Sequence, residues 1–316
     1  MTAMSVTQWS PRAEWDAVPH SVRIGIEEIL GAAVASAQNQ TGGFSPGLAA
    51  RVECADGSRA FVKAVGSSLN PDSPEMYRRE ADVTAALPAE APAPALHGVY
   101  DDGDWVALVF EELPGRSPAE PWQSGELQRV VDATNQLSTA LTPCPNMAVP
   151  SLADRLRTSF TAYSRFTAEP PADLSEWERE HLSDLAELSE AVFDHVDGDT
   201  LVHLDIRGDN VLLGENGAVW FVDWPWATRG PAWADVAILL VDAARSGHDP
   251  EPLLATSPHT KGVEPAWITG FLAGFAGMMS EGSRRPPPPG LPGLRNFQRV
   301  CLSAALTWLR QRTGWA

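Results

Sequence analysis

Residues 203 to 224 read HLDIRGDNVLLGENGAVWFVDW and combine two short apolar runs with a polar beginning. The apolar runs, 211–213 and 219–222, flank the pair Asn216-Gly217. Asn-Gly between apolar runs is a strong signal for a β-hairpin, because both central residues of a type I′ turn need a positive φ. The stretch therefore predicts a hairpin whose two strands are apolar enough to be buried.

The open end of this hairpin gathers polar side chains. Strand pairing would bring Asn210, just before the first strand, close to Asp223, just after the second. The preceding loop adds His203, Asp205 and Arg207. The open end is therefore a candidate catalytic site, and a polar loop held by side-chain caps is the alternative.

The whole chain has 316 residues, which is longer than a single compact core usually grows, so two lobes are expected. Its net charge of −18 argues against a nucleic-acid partner. That charge favours either a cationic small molecule near an acidic cleft or simple solubility. The three cysteines form no C-x-x-C pair and are expected to be reduced, as in a cytoplasmic protein.

Targeting and membrane segments are not expected. No run approaches the roughly 18 apolar residues of a membrane span. The first 20 residues lack a basic start followed by an apolar stretch. A cytoplasmic protein without a membrane partner is therefore predicted.

The first part of the chain has a β-rich pattern. A helix is predicted over 21–38, and a second helix is predicted between Ser73 and Pro88. Short strands are predicted over 48–54, 60–65, 95–100 and 105–110. These elements predict a small antiparallel lobe over residues 1–114.

Residues 110–115 predict a hinge, since strands stop there and helical patterns dominate afterwards. Residues 115–316 predict a larger, mainly helical lobe, and the fold class is therefore α+β. The proline-rich segment 284–290 is expected to be a stiff connector, with a polyproline ligand as the alternative. Helices are predicted over 125–141, 151–166, 175–196, 231–245, 264–280 and 294–312.

Lys63, one of only two lysines in the chain, lies in a predicted strand on the same face as Phe61 and Val65. Glu80 lies on the apolar stripe of the following helix. A buried charge needs a partner, so the two side chains are expected to pair. The alternative is two unrelated surface charges.

The pattern His203-x-Asp205-x-x-x-x-Asn210, followed by Asp223, resembles the catalytic residues of the protein-kinase-like fold. The order of small lobe, HLDIRGDN, VDW and WADVA, over residues 40–245, is similar to the aminoglycoside phosphotransferase family, relatives of choline and homoserine kinases. The chain lacks the D-F-G and A-P-E segments of protein kinases. A regulated activation loop is therefore not expected.

The resemblance implies a kinase that phosphorylates a hydroxyl of a small molecule, often an antibiotic, with a nucleoside triphosphate and Mg²⁺. It assigns roles to the polar residues described above. They are the catalytic base Asp205 with His203 and Arg207 in its loop, the metal ligands Asn210 and Asp223, and the phosphate-binding pair Lys63 and Glu80.

Further nucleotide contacts are expected on both sides of the small lobe. Gly43 and Ser45 lie where a phosphate-covering loop is expected, and backbone N–H groups there and the Ser45 hydroxyl are candidate phosphate donors. Backbone groups of Glu111 and Leu113 are expected to pair with a purine. Side chains contribute little to such pairing, so ATP and GTP both stay open. Asp235 is expected either to support the catalytic loop or to be a first-turn aspartate that is favoured by the dipole of its own helix.

The acceptor is the least determined part of the prediction. The preferred prediction is an antibiotic kinase, and the second is a metabolite kinase of the sugar, choline or homoserine type. A catalytically silent nucleotide-binding module is the alternative from another class of protein. Two sets of side chains suggest a cationic or an aromatic acceptor. They are the acidic residues Asp209, Glu180 and Asp184, and the tryptophans Trp224, Trp226 and Trp233, for which core packing is favoured.

Overall fold

A computed structural model of the chain describes residues 10–315. The predicted lack of a leader concerns the first 20 residues, of which residues 1–9 lie outside the described part. The fold is α+β and protein-kinase-like, with an antiparallel five-stranded sheet followed by a mainly helical part. All three cysteines are buried and carry free thiols.

The small lobe is built on one antiparallel sheet with the strand order β1-β2-β3-β5-β4. Two helices, α1 (His20–Leu30) and α2 (Ser73–Ala85), accompany the sheet. The strands are β1 (Val34–Asn39), β2 (Leu48–Cys54), β3 (Arg59–Gly66), β4 (Leu96–Asp101) and β5 (Trp105–Phe110).

The predicted helix over 21–38 is wrong beyond residue 30. Gly31 has a φ of 75° and ends α1 in the left-handed conformation that glycine adopts readily. The segment after it forms the edge strand β1, in which Val34 is paired with Cys54 of β2. Backbone pairing with β2 therefore overrides the weak helix propensity of VASAQN.

Both faces of the sheet are covered. Val22 and Ile26 of α1 are buried in one apolar cluster with strand residues such as Val52. On the other face, Tyr77 and Ala81 of α2 belong to a second cluster with residues of β3 and β5. Every residue of β5 is buried, which fits its uninterrupted apolar sequence WVALVF.

The large lobe begins after β5 and contains the predicted helices, two of which are divided. The segment 151–166 breaks at Thr161, and the segment 175–196 breaks at His181 after the predicted Ser175–Glu178 capping box. The helices are α3 (Ser124–Ala140), α4 (Leu152–Phe160), α5 (Ala162–Ala168), α6 (Glu176–Glu180), α7 (Leu182–Ala191), α8 (Ala234–Arg245), α9 (Pro250–Thr256), α10 (Pro265–Arg284) and α11 (Leu294–Thr313).

Short strands of the large lobe accompany the hairpin that the sequence predicted within residues 203–224. Strands β8 (Val211–Gly214) and β9 (Val219–Phe221) form the hairpin, and β6 (Gly115–Arg116) extends it at one edge. Strands β7 (Thr200–Val202) and β10 (Thr228–Gly230) pair with each other. In the sequence, β7 precedes the hairpin and β10 follows it. The sequence did not predict β6, β7 or β10, because two or three residues carry no recognisable period.

The turn of the hairpin differs from the predicted type I′ turn. Within residues 214–218 only Gly217 has a positive φ, of 87°, so Asn216 does not adopt the conformation that type I′ requires. The Gly217 N–H donates to the carbonyl of Gly214, and the side chain of Asn216 accepts the Ala218 N–H. Asn-Gly therefore predicted the hairpin correctly but not its turn type.

The proline-rich segment is a connector, as predicted, because it joins α10 to α11. It also contacts the small lobe, where the Asn70 side-chain amide donates to the Pro289 carbonyl at 2.9 Å. Among residues 10–315, no helix is both long enough and apolar enough to cross a membrane.

Gly274 of α10 packs directly against Phe160 of α4. A Cβ at position 274 would lie 2.1 Å from the Phe160 ring, so Gly274→Ala should lower the free energy of unfolding by about 1–3 kcal/mol through overpacking. A Cβ on Gly125 of α3 would meet nothing within 4 Å. Gly125→Ala should therefore leave stability unchanged or raise it by about 0.5–1 kcal/mol. Denaturant unfolding of both variants checks the pair, and equal effects would contradict the contact.

Candidate active site

A cavity of about 1030 Å³ lies between the two lobes. It contains ten of the eleven residues that the sequence singled out for the site, whereas His203 lies behind the cavity wall. The ten are Gly43, Ser45, Lys63, Glu80, Glu111, Leu113, Asp205, Arg207, Asn210 and Asp223. Residues separated by up to 180 positions in the sequence therefore meet at one place.

His203 is fully buried at the start of the catalytic loop. Its Nε2–H donates to the Val222 carbonyl at 3.0 Å, and its Nδ1 accepts the Asp205 N–H at 3.3 Å. These contacts require a neutral imidazole, because a proton on Nδ1 would face another donor. Burial lowers the pKa of His203 to about 4. The ring therefore positions the loop and stays uncharged at neutral pH.

Asp235 of α8 supports the same loop from below. Its carboxylate accepts the N–H groups of His203 and Leu204, each at 2.8 Å, and the side chain is fully buried. Leu204 has a φ of 64°, a left-handed conformation that is unfavourable for leucine. Burial raises the pKa of Asp235 to about 6. Of the two roles considered for Asp235, the contacts favour support of the loop.

Asp205 presents its carboxyl group to the cavity. Its Oδ2 accepts a hydrogen bond from the Asn210 side chain at 2.9 Å, and its Oδ1 lies 3.6 Å from Arg207 Nη1. Burial raises the pKa of Asp205 to about 7, although Arg207 opposes the shift. A carboxyl group with such a pKa is suited to exchange a proton near neutrality.

Asn210 and Asp223 meet at the open end of the hairpin, as the sequence predicted. The Val222 N–H donates to the Asn210 carbonyl at 3.0 Å, one pair beyond the Val211–Phe221 pair of the ladder. Asp223 has a φ of 70°, so the backbone turns out of the strand direction at this residue. Both side chains line the cavity.

Lys63 and Glu80 form the predicted ion pair, with Lys63 Nζ 2.5 Å from Glu80 Oε2. The ammonium group also lies 2.8 Å from Asp223 Oδ1. Burial alone would lower the pKa of Lys63, but the carboxylates of Asp223 and Glu80 outweigh it and raise that pKa. Lys63 is therefore a charged ammonium group at neutral pH, and it connects the small lobe to the end of the hairpin.

The loop 41–47 covers one side of the cavity. Gly42 and Gly43 have φ values of 100° and 74°, which allow a tight turn of the backbone. Arg12, which the sequence did not single out, holds the loop by donating to the Gly42 carbonyl at 2.5 Å. The Ser45 hydroxyl is 2.9 Å from the Tyr77 hydroxyl, so it is already used within the protein. The backbone N–H groups of the loop are thus its better candidate phosphate donors.

The hinge leaves two backbone groups available beside the cavity. The Glu111 N–H donates to the Ala95 carbonyl, and the Leu113 carbonyl accepts the Gly115 N–H, both at 2.9 Å. Within residues 10–315, neither the Glu111 carbonyl nor the Leu113 N–H makes a hydrogen bond. One acceptor and one donor therefore remain for a ligand at the hinge.

Arg207 orders the catalytic loop by contacts that the sequence did not predict. Its Nε and Nη2 donate to the two oxygens of Asp209 at 2.7 and 3.1 Å. The guanidinium carbon lies 5.3 Å from the centre of the Phe44 ring and 4.9 Å from that of Phe297. Phe44 belongs to the loop 41–47 and Phe297 to α11, so Arg207 joins three parts of the cavity wall.

The tryptophans and acidic residues considered for the acceptor fall into different environments. Trp224 and Trp233 are 1% and 4% exposed, so the favoured core packing is confirmed for both. Trp226 is 41% exposed and lines the cavity. Glu180 and Asp184 do not line the cavity, because α6 and the start of α7 lie elsewhere on the large lobe. Neither acid is therefore available to an acceptor in this cavity.

Together, the fold and the site define a kinase-like phosphotransferase. Residues 44–267 match the model of the phosphotransferase enzyme family, APH, which is more than half of the chain. The chain belongs to this family. No curated protein sequence matched the chain.

Solved structures share the fold at low sequence identity. The apo form of a thermostable mutant of aminoglycoside phosphotransferase APH(4)-Ia has a TM-score of 0.64 and 13% identity, over 93% of this chain and 100% of that one. Spectinomycin phosphotransferase APH(9)-Ia, in complex with ADP and spectinomycin, has a TM-score of 0.58 and 13% identity over 90% and 98%. An aminoglycoside phosphotransferase from Alicyclobacillus acidocaldarius has a TM-score of 0.56 and 15% identity, over 91% of this chain and 95% of that one.

The buried Asp235 carboxylate leads to a test of loop support. Asp235→Asn replaces one acceptor oxygen by an NH₂ group that faces a backbone N–H. We expect the free energy of unfolding to fall by about 1–3 kcal/mol, measured by denaturant titration. Asp132→Asn, on an exposed face of α3, is the control and should change it by less than about 0.5 kcal/mol. Equal stability of the Asp235 variant and the wild type would contradict the role.

The neutral His203 should make stability depend on pH. The imidazole has a pKa near 6.5 when unfolded and about 4 when folded, so the unfolded chain binds the proton first as the pH falls. The neutral ring therefore contributes its full stabilisation above pH 6.5. As the pH falls from 6.5 to 4, the free energy of unfolding decreases by about 3 kcal/mol. The advantage of the wild type over His203→Gln in unfolding free energy should shrink across that window. A constant difference would argue against a neutral buried ring.

Proposed function

We propose that this phosphotransferase is a kinase that transfers the γ-phosphate of ATP or GTP to a hydroxyl group of a small molecule. The observation that carries the proposal is the convergence of Asp205, Asn210, Asp223 and Lys63 on one cavity. This arrangement combines a candidate base, two oxygen ligands and one ammonium group.

The nucleotide would bind between the hinge and the loop 41–47. The free Glu111 carbonyl and Leu113 N–H can pair with complementary groups on a purine edge, and ATP and GTP both provide such edges. Backbone N–H groups near Gly43 can donate to phosphate oxygens. Lys63 would reach the phosphates by exchanging its contact with Asp223 for one with a phosphate oxygen.

Asn210 and Asp223 suit a Mg²⁺ ion that arrives with the nucleotide. The Asn210 amide NH₂ donates to Asp205, which leaves its side-chain oxygen available, and Asp223 keeps one oxygen that Lys63 does not contact. Mg²⁺ in such enzymes takes one or two protein oxygens and completes its shell with phosphates and water. Bound there, the ion would neutralise negative charge on the phosphates.

Asp205 would act on the acceptor hydroxyl. The hydroxyl oxygen forms a bond to the γ-phosphorus while the bond from that phosphorus to the β,γ-bridging oxygen breaks, and the nucleoside diphosphate leaves. The hydroxyl proton passes to the Asp205 carboxylate. Asn210 and Arg207 hold that carboxylate in place from either side. His203 and Asp235 position the loop without touching the reacting atoms.

The acceptor would be a small hydroxylated molecule, with an antibiotic as the leading candidate. APH(4)-Ia has been solved with hygromycin B and APH(9)-Ia with spectinomycin, and both share the fold of this chain. A metabolite kinase would use the same catalytic residues. Nucleotide consumption across a panel of hydroxylated antibiotics, sugars and amino alcohols distinguishes the two.

Two substitutions separate the base from the metal ligand. Asp205→Asn keeps the size of the side chain but removes its charge, so turnover should fall by roughly 10² or more while Mg-nucleotide affinity changes little. Asp223→Asn should weaken Mg-nucleotide binding as well as turnover. Affinity is measured by calorimetry, and turnover by nucleotide consumption with an acceptor found in the panel.

The control is Asp184→Asn, which changes an exposed acid outside the cavity and should leave both quantities unchanged. Near-normal turnover by Asp205→Asn would reject its assignment as the base. Unchanged Mg-nucleotide affinity in Asp223→Asn would reject the proposed metal site.

A further inference from the structure

The cavity has an apolar wall on its large-lobe side, beyond Asp205. We call this surface the acceptor wall, because it lines the same cavity as Asp205 and belongs to the same lobe. It is formed mainly by side chains of α8, α10 and α11 and by residues 224–226, which follow β9. Its members include Trp226, Ile238, Met278 and Leu294, which are at least partly exposed, and Phe275 and Met279, which are buried.

The acceptor wall offers no free carboxylate to a cationic ligand. Helices α4, α10 and α11, which the structure describes in full, contribute no aspartate or glutamate to the cavity. Both oxygens of Asp209 are bonded to Arg207. Asp242 accepts hydrogen bonds from Trp122, Gly208 and Arg245 at 2.8, 3.0 and 2.7 Å. The carboxylates of Asp209 and Asp242 are therefore already engaged within the protein.

Arg155 of α4 is the charged group that this side of the cavity leaves unpaired. Among residues 10–315 its guanidinium has no carboxylate partner, and its buried Nε makes no hydrogen bond. The guanidinium carbon lies 5.8 Å from the centre of the Trp226 ring. Burial lowers the pKa of Arg155, and the positive charge of Arg79 adds to this effect. The Arg155 Nη groups donate no hydrogen bond among residues 10–315 and, unlike Nε, are not enclosed by protein. A ligand oxygen could therefore accept from them, and a hydrogen bond to a charged group is stabilising.

We propose that the acceptor is a largely apolar hydroxylated molecule, uncharged or with one negative group, which packs on the acceptor wall and accepts hydrogen bonds from Arg155. A polycation is disfavoured, because its ammonium groups would lose water without gaining carboxylate partners. This inference rests on the proposed kinase function and narrows its acceptor.

A matched series of ten-carbon alcohols tests the charge preference. The probes are 10-hydroxydecanoate, 1,10-decanediol and 10-amino-1-decanol, which share chain length and hydroxyl but carry a negative, zero and positive charge. Calorimetry in the presence of Mg²⁺ and a non-hydrolysable nucleotide gives their affinities. We expect the carboxylate to bind about tenfold more tightly than the amine, with the diol between them, since a hydrogen bond to a charged group has about this effect.

Two pairs of variants locate the binding. Arg155→Ala should remove the advantage of the carboxylate over the diol, whereas Arg157→Ala, an exposed arginine of the same helix, should preserve it. Met278→Glu places a carboxylate on the acceptor wall and should reverse the order in favour of the amine. The control is Met147→Glu, at a residue that is 63% exposed and lies outside the cavity, and this variant should leave the order of affinities unchanged.

The outcomes distinguish this inference from the function on which it rests. Tightest binding of the amine by the wild type, absence of saturable binding by all three probes, or an unchanged preference in Arg155→Ala would overturn the inference. Efficient phosphorylation of hygromycin B or spectinomycin would also overturn the inference about the acceptor. That result would at the same time support the proposed kinase function. Failure of Mg-nucleotide to bind the wild-type protein would instead reject the kinase function.

Discussion

The contact of one buried ammonium group with two carboxylates holds the active site together. Lys63 of the sheet lies 2.5 Å from Glu80 of α2 and 2.8 Å from Asp223 at the end of the hairpin. Removing these charges from water is costly, and only a close arrangement of all three offsets that cost. The relative position of the small lobe and the catalytic hairpin thus depends on this contact, and the cavity between them is shaped by it.

The catalytic loop depends on a second set of buried polar groups. Leu204 and Asp223 both have positive φ values, which are unfavourable for residues with a side chain. The Asp235 carboxylate stabilises the first of these turns, and the neutral His203 ring links Val222 to Asp205. Strained backbone on both sides of the site is thus stabilised by hydrogen bonds that are shielded from water.

The charge of the protein and the chemistry of its cavity are separate properties. A net charge of −18 left both a cationic acceptor and simple solubility open, and the carboxylates of Asp209 and Asp242 are bonded within the protein. In the described part of the chain, Arg155 has no carboxylate partner and lies beside the Trp226 ring of the acceptor wall. Net charge reports on solubility and long-range attraction, whereas recognition depends on which groups stay unpaired in the cavity.

The sequence by itself determined the catalytic hairpin, the Lys63–Glu80 pair and most of the long helices, because each has a local period or a short spacing of distinctive residue types. It did not determine β1, whose residues became a strand only by pairing with β2. The tertiary structure alone decided that Arg12 holds the loop 41–47 and that Arg155 has no carboxylate partner among residues 10–315. Such properties depend on distances between segments far apart in the chain, which no local pattern encodes.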